Sequence, residues 1–146
     1  MIDHKVLQKM WEKDSKVDMD NLHQESSNIC SLHAKYYEVY NILRLARSKA
    51  DQERKRIRKS RYDYFTGRAD QETYNKEPYP FARRLKDKET IQNYLDADEA
   101  LSHASMKVEQ YDFMIDYIKD ILKIIHNRSY HINNSIEFMK FQSGMG

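Results

Sequence analysis

Apolar residues recur along this chain with the period of a helix that packs by one face. Leu22, Ile29, Tyr36, Leu43, Ala50, Ile57 and Tyr64 follow one another at steps of seven, and Leu32, Val39 and Ala46 fill the accompanying three-residue offset. A seam of this kind lays one stripe of a long helix against a partner. It predicts a helix over residues 20–66, with Asp18 and Asp20 as capping choices and Gly67 as a natural C-terminal stop. Such a helix would be on the order of 70 Å long, more than one small chain folded into a ball can cover.

A second periodic segment follows. Leu101, Ala104, Val108, Tyr111, Ile115, Ile118, Leu122 and Ile125 alternate steps of three and four, predicting another coiled-coil-like helix over 89–126. Asn127-Arg128-Ser129 is a weak stop, after which Ile132, Ile136 and Met139 resume the register in a short last helix, 130–142, or in a kinked continuation of the second long one. Ahead of both long segments, Val6, Leu7, Met10 and Trp11, with Asp3 as N-cap, predict a short amphipathic helix over 1–16 that either packs on its own subunit, the favoured reading, or serves as a docking arm for a partner. Residues 67–88 form the connector, where Pro78 and Pro80 exclude regular helix and favour extended backbone at Glu77 and Tyr79. The expected fold is therefore all-α and a single helical domain over 1–146: two long helices, a proline-containing connector and short helices at either end.

Composition changes this picture in one respect. Apolar residues make up 40% of the 146 and charged residues 33%, so the chain has little apolar surface for a private core, and a core shared between subunits is expected. With Phe138 and Phe141 added, the C-terminal stretch is more apolar than a lone helix needs. Ile115, Ile118, Leu122, Ile125, Ile132, Ile136 and Met139 are the candidate oligomerisation residues. Cys30 is the single cysteine, which excludes an intrachain disulfide and suits a reducing cytosol. Neither an apolar N-terminal signal nor a run long enough to span a bilayer is present, so a chain that is not secreted and not in a membrane is expected.

Charge is concentrated where the first seam weakens. Nine basic residues and two acids lie between Arg44 and Arg61, a local +7 in a chain whose net charge is +2. A cationic segment on an otherwise acidic chain is a local device for holding a polyanion. Arg44, Arg47, Arg54, Arg58 and Arg61 are spaced to form one strip beside the seam. Lys55, Lys59 and Arg68 flank it, and Tyr62, Tyr64 and Phe65 are interleaved, so bases of an unpaired strand could stack there for about 1–3 kcal/mol each. Tyr64 lies in the seam and reads as core; Tyr62 projects away from it and Phe65 falls in line with Arg58, so these two are the stacking candidates, with helix-end aromatics closing onto the next segment as the equally ordinary alternative. A duplex-reading basic helix carries its cations N-terminal to its heptads, the reverse of the order here, which favours single-stranded or nonspecific binding. The competing class is a structural coiled-coil scaffold whose arginines pair with acids of a neighbouring subunit.

Catalytic chemistry is not legible. The six histidines show no pair at i and i+4, Cys30 has no cysteine partner for a metal site, and Gly67 alone cannot build a phosphate loop. Asp96, Asp98 and Glu99 cluster near a helix start, where acids are expected from the helix dipole. No metal, cofactor or enzymatic activity is expected.

The run Lys59-Ser60-Arg61-Tyr62-Asp63-Tyr64-Phe65-Thr66-Gly67-Arg68-Ala69-Asp70 resembles the Lys-Ala-Arg-Leu-Asp-Tyr-Tyr-Ser-Gly-Arg-Gly-Asp stretch of the UvsY recombination mediators of T4-like phages. Length, order of elements and Tyr94-Leu95-x-Ala97-Asp98 agree as well. The resemblance implies a ring-like or open-barrel homo-oligomer of six or seven subunits, working in the cytoplasm of the infected bacterial host. It implies binding of single-stranded DNA and loading of a RecA-like, UvsX-type recombinase onto strands covered by the phage single-strand-binding protein. The family's basic pair falls on Lys59 and Arg61, which lead the expected DNA contacts, followed by Arg58, Arg54, Lys55, Arg68 and Tyr62. Where the family has Leu, this chain has Tyr62, and the connector around Pro78 and Pro80 differs.

Overall fold

The computed structural model describes residues 2–144, so Met1, placed in the first predicted helix, and Met145 and Gly146 lie outside it. Among the described residues the regular structure is entirely helical: α1 (His4–Asp14), a 3₁₀ turn (Met19–Asn21), α2 (Leu22–Ser27), α3 (Ile29–Phe65), α4 (Gln71–Lys76), α5 (Lys88–Ala97) and α6 (Glu99–Gln142). This is the all-α class that the periodic segments predict. No helix among them is long and apolar enough to cross a membrane.

Local chemistry sets the boundaries. Asp3 caps α1, its Oδ1 accepting from Val6 N–H at 2.8 Å, and Asp18 caps the 3₁₀ turn. The segment expected as one helix over 20–66 loosens at Asn28, whose N–H is shared between the Gln24 and Glu25 carbonyls before α3 takes over. Within the connector, Asp70 accepts from Thr73 N–H and starts the short α4, which ends ahead of Pro78. The helix expected over 89–126 is divided at Asp98, where the backbone turns extended (ψ 129°) and a second N-cap begins. Conversely, no break follows at 127–129: α6 runs through to Gln142, because Ile125, Arg128 and Ile132 are all buried along one face and no Gly or Pro intervenes.

Packing separates two compact units, Met1–Arg44 with Asp112–Gly146, and Leu45–Tyr111. In the first, Leu7, Tyr36, Leu43, Ile118, Ile121, Ile125 and Ile132 are at most 2% exposed, each such side chain contributing about 1.5–3 kcal/mol by leaving water. Trp11 meets the Tyr36 ring edge-on, and the Tyr36 hydroxyl donates to Asp14 at 2.9 Å. Burial, then the Asp14 carboxylate, pushes the Tyr36 phenol well above its ordinary range. For Asp14, burial works in the raising direction but is outweighed by hydrogen bonds from Lys35 and Tyr36, which hold the carboxyl below its usual value. Arg128 donates to the Asp14 and Ser15 carbonyls, both at 3.1 Å, satisfying the C-terminal end of α1.

In the second unit Tyr64, Phe65, Ile91, Leu95 and Leu101 form the core, with Ile57, Tyr62, Tyr74, Phe81 and Leu85 packed around it. The connector is tied to this core by phenols. Tyr64 donates to the Pro78 carbonyl at 3.0 Å, and Tyr74 to the Tyr64 carbonyl at 3.0 Å. The Tyr79 hydroxyl donates to the Phe65 carbonyl at 2.6 Å and accepts from Leu85 N–H at 3.2 Å.

Candidate nucleic-acid interface

The second unit carries the C-terminal part of α3 and hence most of the basic stretch. Ala50 and Tyr64 of the seam are buried and Ile57 is half-buried, so the cations that flank the seam are left at the surface. Arg56, Arg58 and Lys59 are exposed, as are Lys55 before them and Arg68 after the helix. Lys55, Arg58, Lys59 and Tyr62 line one hollow, which brings three cations around the half-buried Tyr62 ring. Part of the Tyr62 surface is engaged with the core.

Acids of the same chain accompany many of these cations. Asp51 holds Arg54 at 2.7 Å and Lys55 at 3.3 Å, Glu53 holds Arg56 at 3.5 Å, and Asp63 holds Lys59 at 2.8 Å. Hydrogen bonding from Arg54, opposed by partial burial, keeps the Asp51 carboxyl below its usual range. Among the described residues Arg58 reaches only the neutral Gln92, at 3.3 Å. Pairs on an exposed helix face contribute little and are screened by salt, so a phosphate can replace the carboxylate at small cost.

Arg61 stands apart. Its side chain is only 19% exposed, and its Nε donates to Asp98 at 2.7 Å. The two terminal nitrogens take both oxygens of Glu77, at 3.0 and 3.3 Å. The guanidinium also covers the Tyr64 ring at 4.4 Å and the Phe65 ring at 5.1 Å. Burial works to lower its pKa, but the hydrogen bonds it donates to Glu77 and Asp98 prevail and raise it, so the charge is permanent. Asp98 in turn caps α6, accepting from Leu101 N–H at 2.9 Å. Arg61 therefore joins the end of α3 to the connector and to the α5–α6 junction, with every nitrogen facing an acid of its own chain. Phe65, expected to be available for stacking, is 7% exposed and lies against Tyr64 and Tyr94. Sequence reading foresaw neither acid partner of Arg61; for Glu77 the signal available was an acid fixed in extended backbone by the following Pro78.

The candidate oligomerisation residues belong to the first unit and divide by burial. Ile115, Ile118, Ile125 and Ile132 are buried within the chain's own core, and Leu122 and Ile136 are half-buried. Met139 remains 49% exposed, in the company of Phe138 and Phe141. Ile124 and Tyr130, which the heptad reading passed over, are exposed on the same helix. Among the described residues no group of His, Cys, Asp or Glu could hold a metal ion.

A family model described as "Recombination, repair and ssDNA binding protein UvsY" matches residues 10–145. The recombination protein uvsY of Enterobacteria phage T4 is 22% identical over 138 residues, covering 94% of this chain and 96% of that protein. Crystal structures of the bacteriophage T4 recombination mediator protein UvsY share the fold. One superposes with a TM-score of 0.85 at 20% identity, covering 98% of this chain and 99% of that one. A second lattice type gives 0.81 at 19% identity, with 97% and 99% covered. An all-helical chain with a basic α3, matched along nearly its whole length, thus belongs to the UvsY family of recombination, repair and single-stranded-DNA-binding proteins.

Proposed function

We propose that this protein binds single-stranded DNA and acts as a recombination mediator, loading a RecA-like, UvsX-type recombinase onto strands covered by a single-strand-binding protein. The observation that carries the reading is the exposed cationic face of α3, Lys55, Arg58 and Lys59 around Tyr62, in a chain of a single-stranded-DNA-binding family. Phosphates displace weakly held carboxylates, condensed counterions are released, and no base sequence is read. Lys59, Arg58, Lys55 and Arg54 make the phosphate contacts, Arg68 extends them past the end of α3, and Tyr62 offers a ring for stacking. Arg61 contributes by holding the frame that presents them.

Several copies acting together hold the strand. Exposed Met139, Phe138 and Phe141 supply the contact between subunits, and a closed or open ring of six or seven subunits repeats the cationic face so that modest contacts add. Wrapping a strand in this way strains its complex with the competing coat protein, while a protein contact recruits the recombinase. The setting that follows is the cytoplasm of the infected host.

Fluorescence titration of oligothymidylate and of duplex across a salt series tests the binding. The expected result is tighter binding of the single strand, with log affinity falling against log salt by about 0.7 per phosphate neutralised. Lys59→Ala lowers the affinity several-fold and makes the slope shallower. No preference for unpaired DNA, or an unchanged slope in the folded variant, would overturn the assignment.

A further inference from the structure

Arg68, Arg83 and Arg84, like Arg58, are arginines of the second unit that hold no acid among the described residues once the ion pairs are assigned. No carboxylate lies within ion-pair reach of any of the three among the described residues, whereas Arg54, Lys55, Arg56, Lys59 and Arg61 each hold one. All three are exposed. Sequence distance separates Arg68 from the other two, and the fold removes that distance. The helix α3 ends in a Schellman turn, with Arg68 N–H bonded to the Asp63 carbonyl at 2.8 Å, Gly67 N–H to the Tyr64 carbonyl at 3.2 Å, and Gly67 at φ +74°. The stem of Arg84 lies directly on that turn: a Cβ added to Gly67 would sit 2.9 Å from its Cγ and 3.0 Å from its Nε. Glycine is favoured there by its left-handed backbone, and its missing Cβ leaves the space that the arginine stem fills.

The loop that carries Arg83 and Arg84 is anchored on both sides. Phe81 packs edge-on against Tyr94 with ring centroids 4.8 Å apart, and Leu85 packs on the core while its N–H donates to the Tyr79 hydroxyl. The two arginines between these anchors are thus presented from a fixed backbone, which reduces the ordering that binding would require. Three unpaired arginines, Arg68 at the helix end, Arg84 lying on its turn and Arg83 next to it in the loop, suit the non-bridging oxygens of successive phosphates better than a lone anion.

We infer that Arg83 and Arg84 of the connector, with Arg68, form a second phosphate-binding cluster for single-stranded DNA at the Gly67 turn, beyond the α3 face. This rests on the proposed single-strand binding and adds to it a loop outside both the Arg44–Arg61 charge concentration and the Lys59–Asp70 run. Binding of labelled oligothymidylate over a salt series, with Arg83→Gln and Arg84→Gln combined, tests it; glutamine keeps much of the stem on Gly67 and removes the charge. A control removes the same charge elsewhere, combining Lys5→Gln with Lys9→Gln on the exposed face of α1. The arginine variant is expected to retain its helical circular dichroism and to lose about 1.4 from the magnitude of the log–log slope, two phosphates' worth, while the control keeps the full slope. Equal slopes in wild type and arginine variant would overturn the cluster and leave the α3 reading standing. Equal losses in both variants would show a bulk charge effect and overturn it as well. A wild-type protein that ignores the oligonucleotide would remove both readings.

Discussion

Lys59 and Arg61 lie two residues apart in α3, yet their surroundings make opposite demands on them. The Lys59 side chain is 78% exposed and meets one exposed-face acid; Arg61 faces two acids and two rings. Removing one partner of an enclosed ion pair leaves the other uncompensated. Arg61→Ala is therefore expected to lower unfolding free energy by about 3 kcal/mol, since it abandons the 6% exposed Asp98 side chain. Lys59→Ala should stay within about 0.5 kcal/mol of wild type. Urea denaturation of both variants checks this, and comparable midpoints would show that Arg61 carries no such role. Their shared motif distinguished these two residues from the remaining cations but not from each other, because the difference comes from Glu77 and Asp98, contributed by distant segments. Tyr64 was legible from its heptad position. Phe65 was not, because what covers it is Tyr94 and Arg61 rather than a neighbour in the seam.

Helix boundaries show the same division between local and distant causes. Caps at Asp3, Asp18 and the Gly67 stop were readable because each depends on a side chain, or its absence, within a few residues. The passage of α6 through Asn127-Arg128-Ser129 was not, since Arg128 is drawn inward by the carbonyl end of α1 more than a hundred positions earlier. At this scale the testable consequence concerns acid. Asp14 joins α1 to α3 through Lys35 and Tyr36, and its folded pKa lies below the unfolded value of about 3.9. The stabilisation is thus complete above about pH 4 and is lost as pH falls through the lower, folded pKa. Asp14→Asn should cost about 1 kcal/mol at neutral pH, and its deficit against wild type should shrink as pH falls through the lowered, folded pKa of Asp14. Denaturant midpoints across that range provide the measurement, and a deficit independent of pH would contradict it.

For the whole molecule, the low apolar content predicted a core shared between copies, and the buried residues show how far one chain goes unaided. It encloses Ile118, Ile121, Ile125 and Ile132 by itself and leaves Phe138, Met139 and Phe141 at the surface. Periodicity could mark that stretch as apolar; it could not apportion the residues between the chain's own core and a neighbour. If the remaining apolar residues carry the proposed assembly, a chain ending at Asn133 should fall to a smaller mass by light scattering while keeping its helical signal. One molar salt should leave the full-length assembly intact yet abolish DNA binding. The acids that accompany the α3 cations have a last effect. A nucleotide bringing one phosphate must compete with a carboxylate tethered beside its target and gains little from the exchange. A polymer offers many phosphates together, each held close by those already engaged, and can displace the whole row. Under the proposed binding, Asp51, Glu53 and Asp63 would act as a length filter, leaving the surface indifferent to the nucleotide pool and receptive to strands.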